Sequence, residues 1–300
     1  MSEQRIAYLQ VHIAVLLYGF TAILGHLITL DAVVLVWWRV MITSVSLIIV
    51  LWWSGKMKPI PIEKIKRFGS IGMVVGLHWI CFYASIKLAN ASLALICLAM
   101  TSLFTSFFEP MILKTKFQKI EIFLGICIVP AMALIVSDLS SDYFVGVLVG
   151  ILSAMLAAYF SVLNKKYITD HDPYIITFIE LGSAALMMSV IVLILWSTTS
   201  YLTVMMPHST MDWVYMMILS LVCTTLSFIL ALKGLKHISA FGYNLIFNLE
   251  PLYGVLLAIL ILHEHKDLSP RFFVGAFVII STVLAYPFFI NRSKKKLTLT

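Results

Sequence analysis

The chain has 300 residues, of which 61% are apolar and 12% are charged, with a formal net charge of +7 and a mean hydropathy of +1.02. A soluble domain is about 45–50% apolar and about 25% charged, so these values exclude a water-soluble globule as well as a disordered chain. The composition is that of an integral membrane protein.

Ten apolar stretches are long enough, or nearly so, to cross the hydrocarbon core, which requires about 20 helical residues. In chain order they cover residues 8–30, 32–53, 68–88, 91–113, 120–137, 144–163, 173–197, 212–233, 239–262 and 271–290. Their apolar residues lie on all helix faces, whereas the strands of a transmembrane barrel alternate between apolar and polar residues. The sequence therefore predicts an all-α integral membrane protein with ten transmembrane helices.

The basic residues predict the orientation of these spans. If the N-terminus is cytoplasmic, 17 of the 21 Lys and Arg residues fall in cytoplasmic loops and termini, as the positive-inside rule requires. Because ten is an even number, both termini are expected in the cytoplasm, and we expect the protein in the bacterial inner membrane. The net positive charge is interpreted as contact with anionic membrane lipids and not with nucleic acid.

The two halves of the chain repeat each other weakly. A shift of 141 residues pairs Asp31 with Asp172 and Arg39 with Glu180, and the order and spacing of the spans agree throughout. This pattern predicts two five-helix repeats, residues 1–140 and 141–300. Since five is odd, the second repeat enters the membrane from the opposite side, which gives inverted repeats suited to alternating access around a site near the midplane.

Several short motifs stand out by their order and spacing, and one of them recurs at a corresponding place in the second half. They are Leu17-Tyr18-Gly19-Phe20, Trp38-Arg39, the stretch 83–92 with its later copy 231–240, Leu249-Glu250-Pro251 and Glu264. In this order they resemble the EamA family of the drug/metabolite transporter (DMT) superfamily over residues 6–290. The first half departs from that pattern, because Thr101-Ser102 stands where the second half has Glu250-Pro251. The resemblance implies a cavity lined by the first, third and fourth spans with the sixth, eighth and ninth, and transport of small organic solutes such as amino acids.

Four charged residues lie inside the predicted spans, where each costs about 2.5–3.5 kcal/mol at a helix centre. Glu250, near the midplane and followed by Pro251, is expected to bind substrate or a proton. Arg39, Glu109 and Glu180 are expected to act in coupling or gating. Structural hydrogen bonds within the bundle remain the alternative for all four.

Polar and aromatic residues near these charges complete the predicted binding site. The candidates for substrate binding are Tyr18, His78, Trp79, Tyr83, Tyr159, Asn244 and Asn248, together with Glu250. Aromatic faces suit apolar, aromatic or cationic solutes, although core packing explains several of these residues equally well. The motif His263-Glu264-His265 lies in a short loop without a fourth ligand nearby, so neither a metal nor a cofactor is predicted.

The sequence predicts a secondary transporter, and not an enzyme, that exports amino acids or related metabolites by alternating access. A phosphate-binding glycine-rich loop, which an ATP-driven pump needs, does not occur in the sequence. The alternative is a membrane-embedded enzyme acting on a lipid-linked substrate, which would need a catalytic pair at helical spacing. The expected partners are a small-molecule substrate and membrane lipids, with the protein as a monomer or homodimer.

Overall fold

The computed structural model describes residues 3–57, 59–137, 141–168, 172–198, 205–238, 243, 246–247, 249–266 and 268–297. Within these ranges the chain is helical and contains no β-strand, which confirms the predicted all-α class. The helices are α1 (Glu3–Leu27), α2 (Ala32–Trp53), α3 (Ile62–Leu88), α4 (Ala91–Leu98), α5 (Thr101–Leu113), α6 (Lys119–Val136), α7 (Phe144–Tyr167), α8 (Pro173–Thr198), α9 (Thr210–His237), α10 (Glu250–Leu262) and α11 (Pro270–Leu297).

Seven of the ten predicted spans have a helix that is long and apolar enough to cross a membrane. These helices are α1, α2, α3, the consecutive pair α4 and α5, the segment 141–167 that contains α7, α8 and α9. The other three have shorter apolar helices, at Ile122–Ile135, Glu250–Leu262 and Pro270–Thr282, so the count of ten stays a prediction. Large apolar side chains cover the outside of the bundle, for example Leu186 and Phe277, which are 73% and 72% exposed. Such a surface is stable only in lipid.

Among the described residues, three spans that the sequence predicts as continuous helices contain irregular backbone: the fourth, the eighth and the ninth, where α10 ends in a π-helix over Ala258–Leu262. The fourth span has a turn at Ala99 and Met100, whose N–H groups donate to carbonyls three residues earlier, at Ile96 and Cys97. The eighth span, α9, changes to a π-helix over Ile218–Leu226. Irregular backbone at membrane depth is tolerated where it is buried in protein or borders a cavity.

The hydroxyl groups of α9 support its π-helical segment. Thr224 Oγ1 donates to the carbonyl of Leu219 at 2.6 Å, and Thr225 Oγ1 donates to the carbonyl of Ser220 at 3.0 Å. Both bonds reach back five residues, the spacing of a π-helix. The segment packs against α2, and Thr224 Oγ1 meets Arg39 of that helix.

Helices of the two halves pack against each other in matching pairs. The helix α3 contacts α7 and α8, α1 contacts α9 and α10, α2 contacts α8, and α6 contacts α11. In the predicted repeats, α1 corresponds to α7, α2 to α8 and α3 to α9. The contact of α1 with α9 therefore has its counterpart in the contact of α7 with α3, and α2 and α8, which correspond to each other, are in contact. This is the pattern expected of two repeats around a pseudo-two-fold axis, while the repeat boundary near residue 140 stays a prediction.

Small residues allow the closest of these contacts. A Cβ added at Gly72 of α3 would lie 1.9 Å from the carbonyl oxygen of Glu180 on α8. The Oγ of Ser183 bridges the same helices by donating to the carbonyl of Gly69 at 3.0 Å. Glu180 is therefore fixed at a point where two helix backbones touch.

Candidate functional site

A cavity of about 180 Å³ lies inside the bundle. It extends from His78 and Trp79, in the middle of α3, to Glu109, about one turn before the end of α5. Its polar lining consists of Tyr18, Thr21, Arg39, His78, Thr101, Ser102, Thr105, Ser106, Glu109, Ser161, Asn164, Tyr243, Glu250 and Thr282. Aromatic and aliphatic side chains form the remaining wall, among them Phe82, Phe160, Phe228 and Phe247.

Arg39 of α2 is the buried cation of this cavity. Its Nε–H donates to Thr224 Oγ1 at 2.8 Å, and its Nη1 donates to the hydroxyl of Tyr83 at 2.7 Å. Its guanidinium carbon lies 3.9 Å from the centroid of the Trp79 ring, a cation–π contact. These bonds use two of the five N–H donors of a guanidinium and fix its plane, while the group also borders the cavity.

Glu250 places a carboxyl group on the same cavity. It is the first residue of α10, it lines the cavity, and it interacts electrostatically with Arg39. Among the residues that the structure describes, ion pairs join Lys56 with Asp172 and His237 with Glu3, but not Arg39 with Glu250. A guanidinium and a carboxyl group therefore border one cavity without forming an ion pair.

Glu180 of α8 lies behind the cavity wall and is fully buried, with 0% exposure. The Nδ2 of Asn164, a lining residue that is itself 4% exposed, donates to Glu180 Oε2 at 3.3 Å. Within the described part of the chain, the second oxygen Oε1 of Glu180 and the Oδ1 of Asn164 have no hydrogen-bond partner. Buried oxygen atoms rarely lack a donor, so this pair is unusual.

His78 and Glu109 line the two ends of the cavity. The Nδ1 of His78 lies 2.9 Å from both the carbonyl oxygen and the Oγ of Ser153 on α7. If Nδ1 carries the proton and donates to that carbonyl, Nε2 is an acceptor. Glu109, at the other end, interacts electrostatically with Lys165 of α7.

Several of the predicted site residues come together in this cavity, and others do not. Tyr18, Arg39, His78, Trp79, Glu109 and Glu250 all line it. Tyr83 lies behind Arg39 and positions it, whereas Tyr159 is 39% exposed on the outside of α7, with its ring centroid 5.7 Å from that of Phe108. Asn244 and Asn248 fall outside the described residues.

Sequence reasoning missed Thr224, the hydroxyl that accepts from Arg39. The signal was the pair Thr224-Thr225 in the middle of an apolar span. It also missed the polar stripe Thr101, Ser102, Thr105 and Ser106, whose spacing places these hydroxyls on neighbouring faces of α5.

At one end of the bundle, hydrogen bonds join the two halves. The carboxylate of Glu264 accepts from the N–H groups of Ala91 and Ser92, at 3.1 and 2.9 Å, and so binds the N-terminus of α4. The carboxylate of Asp212 accepts from the N–H and the hydroxyl of Thr29, at 3.0 and 2.9 Å. Glu264 of the His-Glu-His motif thus joins the segment that follows α10 to the N-terminus of α4.

At the opposite end, Lys56 forms an ion pair of 2.7 Å with Asp172, at the start of α8. Burial would raise the pKa of the Asp172 carboxyl, but hydrogen bonds from Lys56 and the Tyr174 N–H, with the charges of Lys56 and Lys236, outweigh it. The pKa is held below its ordinary value of 3.8. The ion pair of Lys56 with Asp172 lies between the end of α2 and the start of α8, whereas the cavity is also lined by residues of α5 and α6.

Comparison with known proteins agrees with this architecture. One solved crystal structure superposes with a TM-score of 0.66 at 14% sequence identity, covering 96% of this chain and 98% of its own, which shows a shared fold. No curated protein matches the chain. A family model described as the EamA-like transporter family matches residues 5–137 and 144–288, one match in each half. The chain therefore belongs to the EamA-like transporter family, within the drug/metabolite transporter superfamily.

Proposed function

We propose that the protein is a secondary transporter that exports amino acids across the bacterial inner membrane by alternating access. The observation that carries this proposal is the cavity bordered by the guanidinium of Arg39 and the carboxyl group of Glu250, which make no ion pair with each other. A free amino acid carries the complementary pair of charges on neighbouring atoms. The membership of a transporter family supports movement of this solute, and no described contact favours the alternative of a membrane-embedded enzyme.

The side chains of the cavity suggest how an amino acid would be held. The guanidinium of Arg39 matches the geometry of a carboxylate and binds it with two parallel hydrogen bonds. The carboxylate of Glu250 would then accept from the ammonium group. Phe82, Phe160 and Phe228 line the same space, so they favour a substrate with an apolar or aromatic side chain.

The closed and open ends of the bundle support the direction of transport. The cavity extends to Glu109, next to the basic loop Lys114–Lys119, which the positive-inside rule assigns to the cytoplasm. The end held by Glu264 and Asp212 is closed. This conformation would therefore accept substrate from the cytoplasm, the loading step of an exporter.

The charge pairing is tested with purified protein in proteoliposomes that contain a radiolabelled apolar amino acid. We expect other apolar amino acids to compete for counterflow, whereas amines without the carboxylate and acids without the ammonium group do not. Equal competition by the amines would contradict a role for Arg39 in carboxylate binding. This measurement uses the unaltered protein and so does not depend on the folding of a variant.

The variant Arg39→Gln tests the residue itself. Hydrogen bonds to charged groups contribute about 1.5–3 kcal/mol, so we expect affinity for the amino acid to fall roughly 10- to 100-fold. The matched control is Arg67→Gln, because Arg67 lies at the basic end of α3, with its guanidinium carbon 4.7 Å from the centroid of the Tyr167 ring. Unchanged affinity in Arg39→Gln would refute the proposed contact.

A further inference from the structure

We propose that Glu180 and Asn164 form a proton-binding site that is occupied in this conformation and couples proton movement to transport. The coupling rests on the proposed transport function, whereas the bound proton rests on geometry alone. Both residues belong to the second half of the molecule. The side chains of Asn164 on α7 and Glu180 on α8 meet through one hydrogen bond, and Asn164 also borders the cavity.

The hydrogen bonds of the two side chains are complete only if Glu180 is protonated. The amide of Asn164 already donates to Glu180 Oε2, and the two atoms left without partners, Glu180 Oε1 and Asn164 Oδ1, are both acceptors. They belong to the same two planar groups that this bond joins. A proton on Oε1 would donate to Oδ1 and close a ring of two hydrogen bonds, as between a carboxylic acid and a primary amide. A carboxylate would leave both oxygen atoms buried without a donor.

Charged groups on the surrounding helices do not replace this proton. Within the described residues, Glu180 makes no ion pair, and the side chains that interact with it electrostatically are the phenols Tyr18 and Tyr243. Most cations on the helices around α8 have other described partners: Arg39 has Tyr83 and Thr224, Arg67 and Lys166 have the ring of Tyr167, Lys165 has Glu109, Lys233 has the hydroxyl of Tyr174, Lys236 has Asp172, and Lys87 has the carbonyl of Ile28. Lys64 and Lys66 lie at the start of α3, about two turns before Gly72, the residue of α3 that meets the backbone of Glu180. On α3, the residue that touches Glu180 is Gly72, which has no side chain.

The shared amide connects the proton to the substrate. Asn164 borders the cavity, so the ammonium group of a bound amino acid that donates to Asn164 Oδ1 takes away the acceptor of the Glu180 proton, while Nδ2 still donates to Oε2. The acid form then loses its hydrogen bond whereas the carboxylate keeps one, so Glu180 releases its proton from Oε1 to solvent, leaving a carboxylate. Substrate binding and proton binding therefore oppose each other, which is the requirement for exchange of a proton for an amino acid.

Infrared spectroscopy tests the proton without any substrate. We expect the protein at neutral pH to show the C=O stretch of a protonated carboxyl group that is lost in Glu180→Gln and shifted in Asn164→Leu. The variant Glu180→Gln should fold, because its amide reproduces both hydrogen bonds of the protonated acid. The matched control is Glu109→Gln, which also removes a membrane glutamate and should keep the band. A spectrum identical in Glu180→Gln and the unaltered protein would overturn the proposal.

Transport measurements test the coupling. In proteoliposomes, Glu180→Gln should lose accumulation driven by a pH gradient but still exchange labelled for unlabelled amino acid, with a lower affinity because its amide resembles the protonated acid, whereas Arg67→Gln should keep both. Addition of amino acid to the purified protein should release a proton to a pH indicator, and this release should vanish in the variant. Accumulation that persists in Glu180→Gln would refute the coupling. If the infrared band behaves as expected but no amino acid is moved by the unaltered protein, the proposed function is refuted and the proton site stands.

Discussion

At the level of single residues, Arg39 shows how this bundle tolerates a buried cation. Its guanidinium is held by a phenol and an indole on α3 and by a hydroxyl in the π-helical part of α9. Burial of a charge in a membrane protein is costly, and the two hydrogen bonds and the cation–π contact of Arg39 offset part of that cost. Because the partners come from both halves of the chain, the same contacts that stabilise Arg39 also fix where its remaining donors point.

The variant Tyr83→Phe tests whether the hydroxyl of Tyr83 positions Arg39, since it leaves the residues that line the cavity unchanged. It keeps the ring packed against Gly25 but removes the oxygen that accepts from Arg39 Nη1. A lost hydrogen bond to a charged group costs about 1.5–3 kcal/mol, so we expect lower resistance to denaturant and weaker amino-acid binding. Tyr159→Phe is the matched control, since Tyr159 lies outside the cavity and is 39% exposed. If the two variants behave alike, Tyr83 does not position Arg39.

At the level of helices, two of the interruptions of regular structure, in α9 and between α4 and α5, occur beside the site. The π-helical segment of α9 allows Thr224 to donate to the carbonyl of Leu219 and still accept from Arg39. The turn between α4 and α5 places Thr101 and Ser102 on the cavity wall. In both spans the apolar pattern of the sequence continues without a break, so hydropathy predicts the span but not the local change of helix type.

The N-terminus of α4 depends on a carboxylate from a distant part of the chain. Glu264 accepts from two of its free N–H groups, in the position where a negative charge is most favourable to a helix. We expect Glu264→Ala to reduce the free energy of unfolding by about 1–2 kcal/mol, measured by denaturant titration in detergent. Glu264→Gln should lose less, because an amide oxygen still accepts.

The control for this prediction is Glu63→Ala, which removes an exposed glutamate from the first turn of α3. Surface substitutions of this kind usually change stability by less than about 0.5 kcal/mol. If Glu63→Ala and Glu264→Ala reduce the free energy of unfolding equally, the hydrogen bonds between Glu264 and α4 do not contribute to stability.

At the level of the whole molecule, the sequence predicted the membrane class, the repeat and the charged residues of the site because each is expressed in composition or spacing. Arg39, Glu109 and Glu250 stand out as rare charges in apolar helices, and the structure places all three on one cavity. The separation of Tyr83 and Tyr159 was not predictable, since both lie on helices that are apolar on every face. Which side of such a helix meets a neighbour is decided by packing between the halves, and no pattern within one helix records it.

The arrangement of the two ends predicts that the cavity is accessible from one side of the membrane. In a protein whose four native cysteines are replaced by serine, Thr105→Cys lies on the cavity wall and Ser92→Cys lies beneath Glu264 at the closed end. A membrane-impermeant thiol reagent should label Thr105→Cys from the face that carries Lys114–Lys119 and should label Ser92→Cys slowly from the other face.

Adding Glu264→Ala to Ser92→Cys removes the carboxylate that holds the closed end, so the rate of labelling from that face should rise. The same addition should slow the labelling of Thr105→Cys, because in alternating access the opening of one end requires the closing of the other. If both cysteines instead become more reactive together, the bundle has only loosened, and the two ends do not act as the reciprocal gates of a carrier.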